Sequence, residues 1–151
     1  MALSIEETYD EELINSFYAD EFIYNGVKRD GVQTGFRSHP AIHYLLCSID
    51  GKKAGFFIAV ESSEIDWEMH ACLMKWATPH SRTLAQMAID WVWERGPIRI
   101  TVPVVSRSTV NFCKRLGFEI EGVRRNGAMI DGTLHDVTFL GLLKWASFQN
   151  S

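Results

Sequence analysis

Glu68 and His70 stand two residues apart in the run Trp67-Glu68-Met69-His70-Ala71-Cys72-Leu73. In a strand that spacing sends both side chains to one face. A carboxylate beside an imidazole can take a proton from an attacking nucleophile, directly or through a water. Each residue also has a plainer reading: His70 as a half-buried sheet residue with one hydrogen bond, and Glu68 as a solvated charge at a strand end. A second segment, Trp76-Ala77-Thr78-Pro79-His80-Ser81-Arg82-Thr83-Leu84-Ala85, carries the chain from that strand through a tight loop into a helix. Unpaired backbone N–H groups and the positive end of a helix dipole accept phosphate oxygens there, and Arg82 adds a charge. The plainer reading is a strand-to-helix connection bent at Pro79.

These segments need a scaffold, and hydrophobic spacing supplies one. Glu6 to Tyr24 carries Leu13, Ile14, Phe17, Phe22 and Ile23 among acids, which suits one or two amphipathic helices. Asn25 to Pro40 reads as a loop. Ala41 to Ser48 and Lys53 to Val60 flank Asp50-Gly51, a turn pair that predicts a β-hairpin. A strand follows over Trp67 to Trp76, and then a helix over Thr83 to Glu94 that Gly96-Pro97 stops. Ile98 to Val105 is β-rich, and Ser108 to Leu116 is an amphipathic helix with Gly117 as its left-handed stop. Phe118 to Val123 and Leu134 to Leu143 read as strands, with Asp131-Gly132 between them. The order is two helices, a hairpin, β, α, β, α and a closing hairpin. That order describes an α/β (α+β) fold with one mixed sheet covered by helices.

Composition narrows the function. The chain has 151 residues, 46% hydrophobic and 23% charged, which fits a single soluble domain over 1–151. A net charge of -4 argues against a nucleic-acid partner. No apolar run approaches the ~18 residues of a membrane span, and the amino terminus has no export pattern. Cys47, Cys72 and Cys113 are scattered and odd in number, which points to reduced thiols and a cytoplasmic location. No metal-ligand spacing appears, so no metal is expected. Serine hydrolase, P-loop and Rossmann motifs are missing. Trp91, Trp93 and Trp145 are expected in the core, with a homodimer interface as the alternative.

The string Ser106-Arg107-Ser108-Thr109-Val110-Asn111-Phe112-Cys113-Lys114-Arg115-Leu116-Gly117-Phe118 leads into Glu121-Gly122. Asp131-Gly132 and Asp136 then precede Leu143-Lys144-Trp145. This pattern, over about residues 40–146, resembles the GNAT acetyltransferase superfamily. It is most similar to the ribosomal-protein N-terminal acetyltransferase branch, and the small size also resembles phage-encoded members. The resemblance implies a mostly antiparallel sheet with a splayed strand pair that holds acetyl-CoA. The family loop Pro-x-x-Arg-Gly-x-Gly or Ala is met by Pro79, Arg82, Thr83 and Ala85. It implies that amides from Arg82 through Thr83 and Leu84 to Ala85 hold the pyrophosphate, while Leu73, Met74, Lys75 and Trp76 run beside the pantetheine. An amide near Leu73 or Met74 would face the thioester oxygen. Ser106 stands where the family has Asn, with Thr109 in the same helix opening, at the pantetheine amides.

Cys113 replaces the family's usual general-acid Tyr. With an ordinary thiol pKa of about 8.5 it can protonate a leaving thiolate, or it can be a plain core residue. Thr83 replaces a loop glycine. The implied activity is direct acetyl transfer to a primary amine: a protein amino terminus, a lysine or a small molecule. Glu68 and His70 are the candidate bases. The departures motivate an alternative from another class, a GNAT-fold binding or assembly protein without chemistry.

Overall fold

The structure is a computed structural model and describes residues 1–145; the end of the expected single domain, 146–151, lies outside them. Seven strands form one sheet in the order β1-β2-β3-β4-β5-β7-β6. They are β1 (Leu3–Thr8), β2 (Ile42–Ile49), β3 (Lys52–Glu61), β4 (Asp66–Leu73), β5 (Arg99–Val104), β6 (Glu119–Ile130) and β7 (Thr133–Leu143). Helices α1 (Glu11–Tyr18) and α2 (Glu21–Val27) cover one face, and α3 (Ser81–Trp93) and α4 (Arg107–Arg115) the other. Only the β4–β5 neighbours run parallel. The expected mixed, mostly antiparallel sheet flanked by helices is present.

Helices α1, α2 and α4 start where a short polar side chain satisfies an orphan amide, whereas α3 follows His80 with no side-chain cap. Asp10 accepts from Leu13 N at the head of α1, Asp20 from Ile23 N at α2, and Ser106 from Thr109 N at α4. Gly117 ends α4 at φ 101°, as the left-handed stop requires. Asp50 and Gly51 turn β2 into β3 with φ 50° and 80°, the positive pair that a tight hairpin turn demands.

Glu6 to Tyr24 is not wholly helical. Residues 3–8 are a strand, paired with β2 from Leu3 opposite Ile49 to Thr8 opposite Tyr44. Leu3 and Ile5 alternate into the α3 side of the core. The neighbouring acids mask that period of two. A second correction concerns Trp145, which is 54% exposed rather than buried.

The two faces hold separate cores. Leu45, Phe57, Met69, Leu84, Ile100 and Leu140 belong to the larger one, under α3 and α4. Ile14, Phe17, Ile23, Tyr44, Phe56 and Cys72 form the smaller, under α1 and α2. Cys72 therefore places Glu68 and His70, its partners in the period of two, on the α1–α2 face.

At the far end of the α3 face, His43 joins three strands. Its Nδ1 lies 2.7 Å from Glu7 of β1 and its Nε2 2.7 Å from Glu61 of β3. The ring stacks on Trp67, and Trp91 lies beside it with the Arg95 guanidinium 3.4 Å from the Trp91 ring centre. Burial alone would push His43 down, yet hydrogen bonds to Glu61 and Glu7 outweigh it and raise its pKa. A raised folded value gives stability that is complete below the unfolded value of about 6.5 and disappears as pH climbs through the folded value. The melting temperature is therefore expected to fall from pH 6 to 9 in the native chain and to stay flatter in His43→Gln, as followed by calorimetry. Parallel curves for the two proteins would contradict this.

Candidate active site

The parallel ladder between β4 and β5 covers only Asp66 opposite Arg99, Trp67 opposite Ile100 and Glu68 opposite Thr101. Beyond Glu68 the strands separate. Two sequence features explain where. In the alternation of backbone directions, the odd residues of both strands face one another, since Arg99 N already donates to Ile65 O at 3.0 Å. The next donor in that series after Thr101 is Pro103, which has no N–H. The rung to Met69 O cannot form.

The second feature lies on the other side of β4. Opposite the register shift at Cys47/Ser48, Gly55 takes φ 127°, and a Cβ there would sit 2.2 Å from Cys72 O. Only glycine fits. The bulge frees Ala54 O to accept from Met74 N at 2.8 Å, which pulls the end of β4 toward β3 and away from β5.

The gap that results is lined by main chain. Ala71 and Leu73 share the parity of Trp67, so their N–H and C=O groups point into the space β5 has left. Met74 does not, because its amide is bound to Ala54. The expected strand through Trp76 ends at Leu73, and Lys75–His80 is a short 3₁₀ helix. Trp76 turns toward β3, where Lys52 Nζ lies 4.3 Å from its ring centre. Of the four residues expected beside a pantetheine, only Leu73 keeps a strand amide on the gap.

The 3₁₀ helix runs straight into α3. Ser81 N is already bound to Thr78 O. In a helix that starts at Ser81, the amides of Leu84 and Ala85 close onto the carbonyls four residues back. Their side chains are buried. The first-turn donors that remain for an anion are those of Arg82 and Thr83, both on exposed residues. Thr83 needs no glycine-like freedom, for it sits in the helix and is not among the positive-φ residues. The Arg82 guanidinium reaches across and donates to Arg115 O at the end of α4, at 3.3 Å.

At the other wall, Ser106 donates to Thr109 Oγ1 at 2.7 Å while it accepts from Thr109 N at 3.2 Å. Both side chains are thus committed to the cap of α4, and a ligand amide would compete with that cap. Cys113 lies in the α3–α4 core, 4% exposed, and burial pushes its thiol up to about 11. It is a protonated, enclosed side chain rather than an accessible acid.

On the α1–α2 face of the gap, Glu68 and His70 are joined: Nε2 lies 2.7 Å from the carboxylate, with each side chain about a third exposed (37% and 36%). The hydrogen bond to His70 holds the Glu68 carboxyl below its ordinary value despite burial. An ionised Glu68 accepts the Nε2 hydrogen, which leaves Nδ1 of a neutral ring as the free acceptor. The root of the gap on this face is tied down. Thr101 Oγ1 donates to Asp66 at 2.9 Å, and Arg99 pairs with Asp66 and Glu121, whose carboxylate lies over Gly141 where any Cβ would collide.

Next to this face lies a cavity of about 830 Å³ lined by Glu11, Tyr18, Glu21, Tyr24, Phe36 and Arg37, among others. Tyr18 links it to β4: half-buried, it packs against the cluster that holds Cys72, and burial first, then the neighbouring Cys72, drives its pKa up. Among the described residues no group of His, Cys, Asp or Glu is placed to hold a metal ion, and no helix is long and apolar enough to cross a membrane.

The fold is that of the GNAT acetyltransferases. No family model matches the sequence, and no curated protein matches it either. Solved structures do. A complex of spermidine N-acetyltransferase from Vibrio cholerae with CoA and spermine is similar at a TM-score of 0.81 and 16% identity, over 97% of this chain and 98% of that one. Mutant forms of the spermidine/spermine N-acetyltransferase SpeG from the same organism give 0.79 and 17% over 99% of both chains. An acetyltransferase of the GNAT family from Streptococcus pneumoniae gives 0.72 and 20%, over 94% and 99%.

Proposed function

We propose that the chain is an acetyl-CoA-dependent N-acetyltransferase whose acceptor is a small cationic primary amine. One observation carries this reading: the β4–β5 gap, lined by the unpaired amides of Ala71 and Leu73, with the head of α3 after β4 and the Glu68–His70 pair on its other face. The donor set fits acetyl-CoA. First-turn amides of Arg82 and Thr83 suit a diphosphate, and a strand edge suits the amides of an extended pantetheine.

The chain then supplies position and charge. Leu73 N–H, or Ala71 N–H one repeat earlier, donates to the thioester oxygen as negative charge develops on it. The ionised Glu68 attracts an ammonium and orients His70, whose Nδ1 accepts a proton from the nitrogen. The freed lone pair attacks the thioester carbon, the nitrogen then gives up its second proton through a water, the C–S bond breaks, and the departing thiolate takes that proton to leave as the free thiol. No covalent enzyme intermediate is required.

Among acceptors, a small amine is favoured over a protein amino terminus. The acids Glu11 and Glu21 and the rings of Tyr18, Tyr24 and Phe36 around the neighbouring cavity suit a slender cation. Two of the similar solved structures are named for spermidine or spermine acetylation. Titration calorimetry with acetyl-CoA, followed by mass spectrometry of spermidine turnover, tests the reading. Micromolar binding with mono-acetylated product is expected. Binding without product on any primary amine would leave a coenzyme A-binding module, and no heat at millimolar ligand would remove both.

A further inference from the structure

The β6–β7 hairpin outruns its neighbour. β5 pairs with β7 only as far as Val104 opposite Thr138, and the hairpin continues to its turn at Asp131 and Gly132, with φ 51° and 77°. That turn has no strand beside it. The loop leaving α2 grips it instead. One carboxylate oxygen of Asp30 accepts from Asp131 N at 2.9 Å and the other from Gly132 N at 2.7 Å. Asp30 N donates to Met129 O at 2.8 Å, and Lys28 Nζ lies 2.8 Å from the Asp131 carboxylate. Arg29 and Val32 form a bridge that keeps the loop tight.

These contacts fill no core, since Asp30 and Asp131 are exposed. Their effect is topological. At its near end the loop hangs from α2, whose Ile23 and Val27 pack in the same cluster as Cys72 of β4. At its far end it holds the hairpin, whose β7 is paired to β5. A ring therefore closes through β4, α2, residues 28–31, the hairpin turn, β7 and β5. The ring frames the gap on the face that carries Glu68 and His70.

We propose that residues 28–31 are a strap across the acceptor entrance, and that Asp30 is a positioning residue for the amine and not for the cosubstrate. The proposal rests on the transferase reading above. The amine passes beneath the strap to reach Nδ1 of His70, while acetyl-CoA meets the head of α3 on the opposite face. Carboxylate bonds to backbone N–H groups are charge-assisted and directional, so one side chain fixes the height of the strap over the sheet. The amides of Gly132 and Asp131 also hold Asp30 below the ordinary carboxylate range, and the grip persists through neutral pH.

Asp30→Ala and Asp30→Asn in the full chain test it, with Lys28→Ala as the milder third variant. Hydrogen exchange at the Asp131 and Gly132 amides reads the strap itself. Asp30→Ala is expected to speed that exchange and raise the spermidine KM about tenfold, with the acetyl-CoA Kd unchanged within about twofold. Asp30→Asn, with one acceptor oxygen left, falls between. In the native chain, saturating spermidine slows exchange at both amides. Faster exchange in Asp30→Ala with an unmoved acceptor KM would overturn the proposal, and so would an equal loss of acetyl-CoA binding. If the native chain fails to bind acetyl-CoA, the transferase reading falls. The strap is then judged on exchange alone, and amides indifferent to spermidine overturn it.

Discussion

His70→Ala is expected to lower kcat for amine acetylation by about 100-fold or more, with the affinity for acetyl-CoA unchanged. The size of the effect follows from the state of the acceptor. A primary amine arrives at neutral pH as an ammonium, and the nitrogen has no lone pair until a proton leaves. Nδ1 of His70 is the acceptor that Glu68 leaves free, because Nε2 is spent on the carboxylate at 2.7 Å. Glu68→Gln keeps a hydrogen-bond acceptor for Nε2 and removes the charge, so a smaller loss, about tenfold, is expected. The sign with pH follows from Glu68. Its folded value is lowered, chiefly by the His70 bond, so the pair is intact at neutral pH and is lost only as pH falls through that lowered value. Steady-state rates from pH 3 to 9, with added imidazole as a rescue agent, check this. A His70→Ala enzyme within twofold of the native rate would move the base elsewhere and leave the histidine a sheet residue.

Much of the frame was legible because it depends on local chemistry. Asp50-Gly51, Gly117 and the alternation around Glu68 each specify a backbone state that short-range sterics enforce, and each occurs where expected. The gap itself was legible only through family resemblance, yet its causes are in the sequence. Pro103 inside a β-rich run marks an edge that cannot donate, and Gly55 marks a bulge. Neither signal carries its meaning until the partner strands are known, because what matters is which neighbour lacks the rung.

β1 was hidden for the opposite reason. Only Leu3 and Ile5 face the core, and two alternating residues are too few to outweigh the acids that follow. The strand expected to run on through Met74, Lys75 and Trp76 stops at Leu73, because a register shift between β2 and β3 decides where Met74 N goes. Asp30 offered no local signal. Its partners lie about a hundred residues downstream, and an exposed loop carboxylate next to Gly31 looks like any turn.

Pro103→Val is expected to weaken acetyl-CoA binding about tenfold or more while the fold stays as stable as before. Position 103 is the next residue of β5 whose N–H would face β4, and Met69 O is the carbonyl waiting for it. A new amide at that position completes the rung and moves the fork by two residues, into the stretch where Ala71 and Leu73 are free. The added hydrogen bond stabilises by about 1 kcal/mol. Loss of the proline costs about 0.4–1 kcal/mol through the freer unfolded chain, so the two nearly cancel. Binding has no such compensation, because the ligand must compete with a covalently tethered strand for the same edge. Slow exchange of the new amide at position 103 reports the rung, and titration calorimetry reports the affinity. A protected amide with undiminished acetyl-CoA binding would mean that the thioester arm lies elsewhere; an unprotected amide would mean that the Gly55 bulge alone holds the strands apart.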